Sequence, residues 1–345
     1  MAEDQRAYLR VGLVVLAAGV VALAVVLLGG TEPGTLLRGG SLGPSAALIE
    51  ERFGSEALVT DEVGYDGQQF YAIADQLPDL DGSAPFLDDP RYRLRRVLGP
   101  AIASVAPQGS ATVVVLFVSG LVGLSLACGT GAWLAGRAGL PPWTGYLWCV
   151  PLLPALAFMT SEALAFGLGI TGVAFADRRR WLLATVFLTG GALARESVAI
   201  MAVATAVGLA LDRRRSGLSW TPLVVIALVP VAAVVAWSGF VASVVPAGRS
   251  EERIQLLGIL DATATGMILG AVVIALGLLA TWRWRGVAAV WPVPLAFAGL
   301  CLVYFDLLFR WQAILRVSAP AVALGLMALV RPAAEPRLQP NQPLR

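Results

Sequence analysis

The sequence predicts an all-α integral membrane protein: about ten transmembrane helices, with a long first extracytoplasmic loop that carries short interfacial helices. Three observations predict it. Of the 345 residues, 57% are hydrophobic and 14% charged, against roughly 25% charged in a soluble domain. The apolar residues fall in runs long enough to span a bilayer. Clusters of arginine separate those runs and read as cytoplasmic under the positive-inside rule.

The elements follow in chain order. Residues 11–28 form an uninterrupted apolar run behind Arg6 and Arg10. A signal peptide begins the same way, but no small-x-small cleavage site closes this run, where Gly29-Gly30-Thr31 is followed by Glu32-Pro33. It reads as a retained first span with its N-terminus in the cytoplasm. Residues 29–110 are the first extracytoplasmic loop. Further apolar runs cover 111–136, 143–176, 181–211, 220–244, 264–281, 287–309 and 313–330. Two are too long for one span. As a single helix, 181–211 would measure roughly 46 Å against a ~30 Å hydrocarbon core. It would also put the Asp-Arg-Arg-Arg clusters at 177–180 and 212–215 on opposite sides. Split into two short helices near Arg195-Glu196, it leaves both clusters on one side. The same reasoning divides 143–176 near Thr160-Ser161-Glu162, helped by Pro151 and Pro154. Trp-Arg-Trp-Arg at 282–285 and Arg331 are cytoplasmic as well. Residues 1–331 then form one polytopic domain with both termini inside, and 332–345 a Pro-rich, disordered cytoplasmic tail. The 245–262 loop reads as holding a short interfacial helix. Trp143, Trp181, Trp220, Trp282 and Trp284 fit an interfacial aromatic belt.

This topology sends the 29–110 loop, Glu162, Arg195-Glu196 and the stretch from Arg310 to Arg316 to the outer face. Composition limits the chemistry available there. The chain has neither His nor Lys, which removes His-based triads, His–metal sites, Schiff bases and a Walker lysine. Acid–base work falls to Asp, Glu or Tyr, and phosphate binding to Arg or backbone N–H groups. A net charge of +2 argues for no nucleic-acid partner. Cys128, Cys149 and Cys301 lie in apolar runs without metal spacing and read as small buried hydrophobes.

Two stretches of the loop stand out. In Gly-Tyr-Asp-Gly-Gln-Gln-Phe-Tyr-Ala-Ile-Ala (64–74), Asp66 and Gln69 match a capping box. The helix it opens places Phe70, Ile73, Ala74 and Leu77 on one face. That account leaves Tyr65, Gln68, Tyr71 and the acidic pair Asp61-Glu62 without a reason. In Phe-Leu-Asp-Asp-Pro-Arg-Tyr-Arg-Leu-Arg-Arg (86–96), Asp89 is placed to cap and Pro90 to take the first helical position. Arg93 and Arg96 share a face at i, i+3 spacing. They read either as anchors to lipid headgroups or as a surface for phosphate.

A first span, a long outer loop with this Tyr-Asp-Gly-Gln-Gln-Phe-Tyr motif, the arginine-rich stretch after it and a late Ala194-Arg195-Glu196-Ser197 together resemble the GT-C class of membrane glycosyltransferases. More closely, the chain resembles its bacterial, mannosyltransferase-like branch with a Tyr-Asp-Gly-Gln-Phe-Tyr motif. The second Gln of Gln68-Gln69 departs from that pattern. The resemblance implies a plasma-membrane enzyme of the cell envelope that uses a polyprenyl-phosphate sugar on the extracytoplasmic face, with Asp66 in the catalytic acidic position. The acceptor would be a glycan, a lipid or a protein.

Inverting transfer from such a donor needs a carboxylate on the acceptor hydroxyl and cations on the leaving phosphate. Asp66 is the first candidate for the carboxylate. A plain cap and a metal ligand are its other readings, and Glu62 is the second ligand if a divalent cation, magnesium or manganese, takes part. Arg195, Arg310, Arg316, Arg93 and Arg96 are the phosphate candidates. Tyr65, Gln68, Tyr71, Asp61, Glu62, Asp89, Glu162 and Glu196 are placed to support the acceptor or the site. Arg195-Glu196 also reads as a self-neutralising pair at a turn, and Glu162 has no cation beside it in sequence. Two other functions compete: a transporter or lipid flippase, and a non-catalytic scaffold with the same fold.

Overall fold

Backbone groups in hydrocarbon have no water to bond, so long apolar runs satisfy them internally as helices. The computed structural model describes residues 2–246, 264–303 and 318–330 and is built almost wholly of helices. The bundle contains α1 (Ala2–Leu28), α7 (Ser110–Arg137), α8 (Cys149–Ala157), α9 (Glu162–Asp177), α10 (Trp181–Ala194), α11 (Ser197–Ser216), α12 (Trp220–Val244), α13 (Ala264–Arg283), α14 (Pro292–Val303) and α15 (Ala319–Leu329). Between α1 and α7 lies a cap of short helices: α2 (Ala46–Phe53), α3 (Asp66–Gln76), α4 (Leu80–Ser83), α5 (Pro90–Leu94) and α6 (Leu98–Ala103). A two-residue parallel pair, Gly39–Gly40 with Leu58–Val59, ties the start of the cap together. Among the described residues, three helices are long and apolar enough to cross a membrane: Tyr8–Leu28 of α1, α7 and α12. The 247–262 part of the loop expected at 245–262, Arg310, Arg316, Arg331 and the 332–345 tail lie outside the described residues.

Both long apolar runs break where charge interrupts them. The 181–211 run divides at Arg195-Glu196 into α10 and α11, and α9 begins at Glu162. The two halves of the first break fold back on each other: the Arg179 guanidinium, just before α10, donates to the Ser216 carbonyl at the end of α11 at 3.0 Å. The two Asp-Arg-Arg-Arg clusters therefore share one end of the bundle. Arg137 pairs with Asp177 at 3.2 Å and Arg283 donates to the Ala138 carbonyl at 3.0 Å at that same end. Glu162, Arg195 and Glu196 sit at the other. With 16 and 14 residues, α9 and α10 are about 24 and 21 Å long, short of the ~30 Å hydrocarbon core.

Small residues bring the central helices together. A Cβ at Gly123 of α7 would fall on the Ala163–Leu164 backbone of α9, and one at Gly167 would fall on Gly123 itself. Close backbone approach of this kind is how membrane helices gain packing energy, and Thr130 and Thr171 add a 3.0 Å hydrogen bond across the same pair. Trp284 departs from the expected interfacial belt. It is fully buried and donates its indole N–H to the Leu324 carbonyl at 3.2 Å, because a buried indole needs an acceptor and α15 supplies one. Trp143, Trp220 and Trp282 are exposed, as a belt requires.

The cap has its own core, centred on Leu37, Ile49, Phe70, Tyr71, Ile73 and Leu94 and closed from below by Met159, Val241 and Val245. Helix α3 runs through its middle and is buried on nearly every side from Gly67 to Asp75. It is not the surface-lying amphipathic helix that its apolar pattern suggests. Arg91 fastens the cap to the bundle: its guanidinium donates to the Val245 and Ala242 carbonyls at 2.8 and 3.1 Å. A cation at the C-terminal end of α12 is favoured by unsatisfied carbonyls and the helix dipole.

Candidate functional site

The Asp-Gly-Gln triplet sits where the cap meets the bundle. Tyr65, not Asp66, takes the N-cap position of α3, and it caps without its side chain. The expected capping box is not formed, because Gln69 is engaged elsewhere. Its Nε2 donates to Asp88 at 3.0 Å and its Oε1 accepts from the Asp88 backbone N–H at 3.1 Å. Gly67 is required by approach: a Cβ there would lie 3.0 Å from both the Met159 Cβ and the Phe158 carbonyl. Tyr65 stacks on Phe158 at 4.3 Å, and the Arg38 guanidinium lies 5.5 Å from the centroid of that ring. These contacts seat Asp66 beside the 158–161 turn that leads into Glu162.

Asp66 forms an ion pair with Arg93 at 2.9 Å. The same guanidinium binds Asp88 with two parallel bonds, Nε at 2.8 Å and Nη2 at 2.7 Å. A bidentate fork of this kind fixes the plane of the guanidinium. Three of its five N–H donors are thus spent on two carboxylates. The Arg93 and Asp66 side chains are 12% and 19% exposed, so the pair is sheltered yet reachable from solvent. Burial lowers the pKa of Arg93, but Asp88 and Asp66 outweigh it and hold the group above its ordinary value. Burial raises Asp88, and the Arg93 hydrogen bond and charge overcome that to leave it below the usual carboxylate range.

The next cation makes a second pair. Arg96 donates to Glu196 at 3.2 and 2.9 Å and also reaches the Tyr92 hydroxyl. Its side chain is 2% exposed and that of Glu196 31%. Burial raises Glu196, but the Arg96 charge wins and brings its pKa down to about 2. The Tyr92 ring lies near both cations, its centroid 5.4 Å from the Arg93 guanidinium and 4.1 Å from that of Arg96. Arg195 turns away from its neighbour Glu196 and pairs instead with Glu162 at 2.9 Å. The adjacent Arg195-Glu196 therefore do not neutralise each other, and Glu162, without a cation nearby in sequence, obtains one from the next helix break. The physical reason is reach: at a turn, successive side chains diverge. Arg93 and Arg96 are too buried for headgroup anchors.

Several expected supporting residues do other work. Gln68 is buried, donates to the Val63 carbonyl at 2.6 Å and accepts from the Gly40 N–H at 3.2 Å, so it ties the turn to the strand pair. Tyr71 is fully buried and donates to Asp75 at 3.1 Å, with Arg52 on Asp75 at 3.2 Å. Burial and the Asp75 charge push the phenol upward, which keeps it a neutral donor. Asp89 is the cap of α5, accepting from the Tyr92 N–H at 3.2 Å. Asp61 and Glu62 lie on an exposed turn closed by Ser41 and Leu42. Among the described residues no three Cys, Asp or Glu side chains gather into a metal-binding group, and Asp66 and Asp88 share an arginine.

Sequence reasoning passed over Asp88, Tyr92, Phe158 and Arg38. The doubled acid of Asp88-Asp89 was the available signal for the first, since one carboxylate suffices to cap and the other must serve elsewhere. The rest had none, because their partners are distant in the chain. No family model matches this chain, and neither a curated protein nor a solved structure matches it.

Proposed function

We propose that this chain is a membrane glycosyltransferase of about ten spans that moves a sugar from a polyprenyl-phosphate-linked donor to an acceptor on the extracytoplasmic face. The Asp66–Arg93 pair carries the reading: a solvent-reachable carboxylate beside a guanidinium held rigid by Asp88, at the end of the bundle opposite the arginine clusters. In this reading Asp66 takes the proton of the acceptor hydroxyl as its oxygen bonds to the anomeric carbon. The bond from that carbon to the phosphate oxygen breaks, and the electron pair leaves with the polyprenyl phosphate. Arg93 lies where its remaining donors meet the charge that develops. Arg96 with Glu196 and Arg195 with Glu162 form two further ion pairs at this end of the bundle. Arg310 and Arg316 are assigned to the lipid phosphate by their place in the sequence.

The test gives purified protein in liposomes a polyprenyl-phosphate mannose or arabinose and follows sugar transfer. Asp66→Asn is expected to lose at least ~10²-fold in rate, with donor binding and folding retained, because Arg93 keeps both bonds to Asp88. Undiminished transfer by that variant removes Asp66 from the chemistry. Donor movement across the bilayer without transfer favours a transporter or flippase. One observation favours the scaffold reading: Arg93, Arg96 and Arg195 are each already matched by a carboxylate, as in a purely structural network. Absence of both transfer and donor binding in the wild type selects it.

A further inference from the structure

A groove of about 510 Å³ runs between α1, α7 and α9 near the arginine-rich end of the bundle, away from Asp66. Its volume falls within the roughly 300–1,000 Å³ of small-molecule sites. From Val122 to Trp133 it follows α7 for about 16 Å at 1.5 Å per residue. Leu9 and Leu13 of α1 and Val122 of α7 line it while remaining exposed, at 66%, 59% and 39%. Two of its walls, α1 and α7, are long and apolar enough to cross a membrane, so its open side faces hydrocarbon. At its inner end stands Arg178, whose guanidinium lies 3.9 Å from the centroid of the Trp133 ring.

Among the described residues the charges at this mouth have one sign in excess. Arg178, Arg179 and Arg180 are exposed, and the adjacent acid, Asp177, is taken by Arg137 at 3.2 Å. The ion pairs among the described residues include none to Arg178. An apolar channel in the bilayer that ends on a cation at headgroup depth matches a lipid with an anionic head, and basic pockets between membrane helices bind such heads. We propose that this groove holds an acyl chain of an anionic glycerophospholipid whose phosphate rests on Arg178. The site is separate from the Asp66 site and does not depend on the function assigned to it.

The experiment places the full chain in nanodiscs of equal phosphatidylglycerol and phosphatidylcholine, extracts it into mild detergent, and counts the retained lipids by mass spectrometry. Wild type is expected to keep phosphatidylglycerol in about five-fold excess, which corresponds to roughly 1 kcal/mol for one arginine at the surface. Arg178→Ala should bring the ratio to that of the input, while Arg180→Ala, a neighbouring cation outside the groove, should leave it unchanged. Val122→Trp, which fills the channel from an exposed position, should reduce retention of both lipids. Equal retention of the two lipids by wild type overturns the proposal. So does a loss with Arg180→Ala as large as with Arg178→Ala, or full retention by Val122→Trp.

Discussion

Arg96 and Glu196 lie one hundred residues apart and meet through two hydrogen bonds of 3.2 and 2.9 Å. This contact ties the first outer loop to the break between α10 and α11. Glu196→Ala would leave a guanidinium only 2% exposed without its acid, at a cost of roughly 3 kcal/mol. Replacing both, Arg96→Met with Glu196→Leu, should cost less than the single change, because no charge is then stranded. Thermal unfolding in detergent, read as a double-mutant cycle, checks this. Additive losses would show that the pair does not act as one unit.

Stability should fall in acid, with the sign set by two carboxyls. Asp88 and Glu196 have folded pKa values below their unfolded ones, so each contributes stability above the unfolded value and loses it as pH falls through the folded one. For Glu196 that window runs from 4.5 down to about 2. The unfolding midpoint is expected to stay flat from neutral pH to about pH 5 and to drop below it, where carboxylates ordinarily titrate. Glu196→Gln should flatten the acid limb. An unchanged limb would assign the acid loss to other groups.

Asp88 is expected to act on rate through Arg93. Asp88→Asn removes the charge that holds the fork while leaving the Gln69 contacts a partner. The proposed sugar transfer should fall about 10-fold to 100-fold in kcat with KM little changed, since a misplaced guanidinium costs most as charge develops. A purely structural role would instead lower the unfolding midpoint and leave kcat per folded molecule intact.

Gly67→Val should drive α3 off the 158–159 turn, where a Cβ already meets two atoms at 3.0 Å. Overpacking of this order costs about 1–3 kcal/mol. The measured outcome should be a lower unfolding midpoint together with a loss of Tyr65–Phe158 stacking. A variant of native stability would show that the turn gives way freely.

Sidedness can be read directly. Cysteines placed at the exposed positions Asp61 and Arg180 should be labelled in intact cells by an impermeant maleimide at 61 and not at 180. The reverse pattern would put the Asp66 end in the cytosol and end the proposed use of an extracytoplasmic lipid-linked donor.

The sequence by itself determined the helical class, the break of both long apolar runs at Glu162 and Arg195-Glu196, and the grouping of the Asp-Arg-Arg-Arg clusters at one end. Each follows from a local cost: a helix too long for the bilayer, or a charge placed in hydrocarbon. It also singled out Asp66, Arg93, Arg96, Glu162, Arg195 and Glu196, because charged residues are conspicuous in so apolar a chain. Only the tertiary structure decided how these pair. Arg195 chose Glu162 over its own neighbour, Arg96 reached across to Glu196, and Gln69 left Asp66 for Asp88. It also turned Gln68 and Tyr71 inward, because α3 is buried on nearly every side from Gly67 to Asp75 and sequence period alone cannot reveal a helix that is covered by the rest of its own loop. Pairing between distant segments depends on where backbones cross, and those crossings are set by packing contacts such as Gly123 on Gly167 and Gly67 on Met159 that no local pattern records.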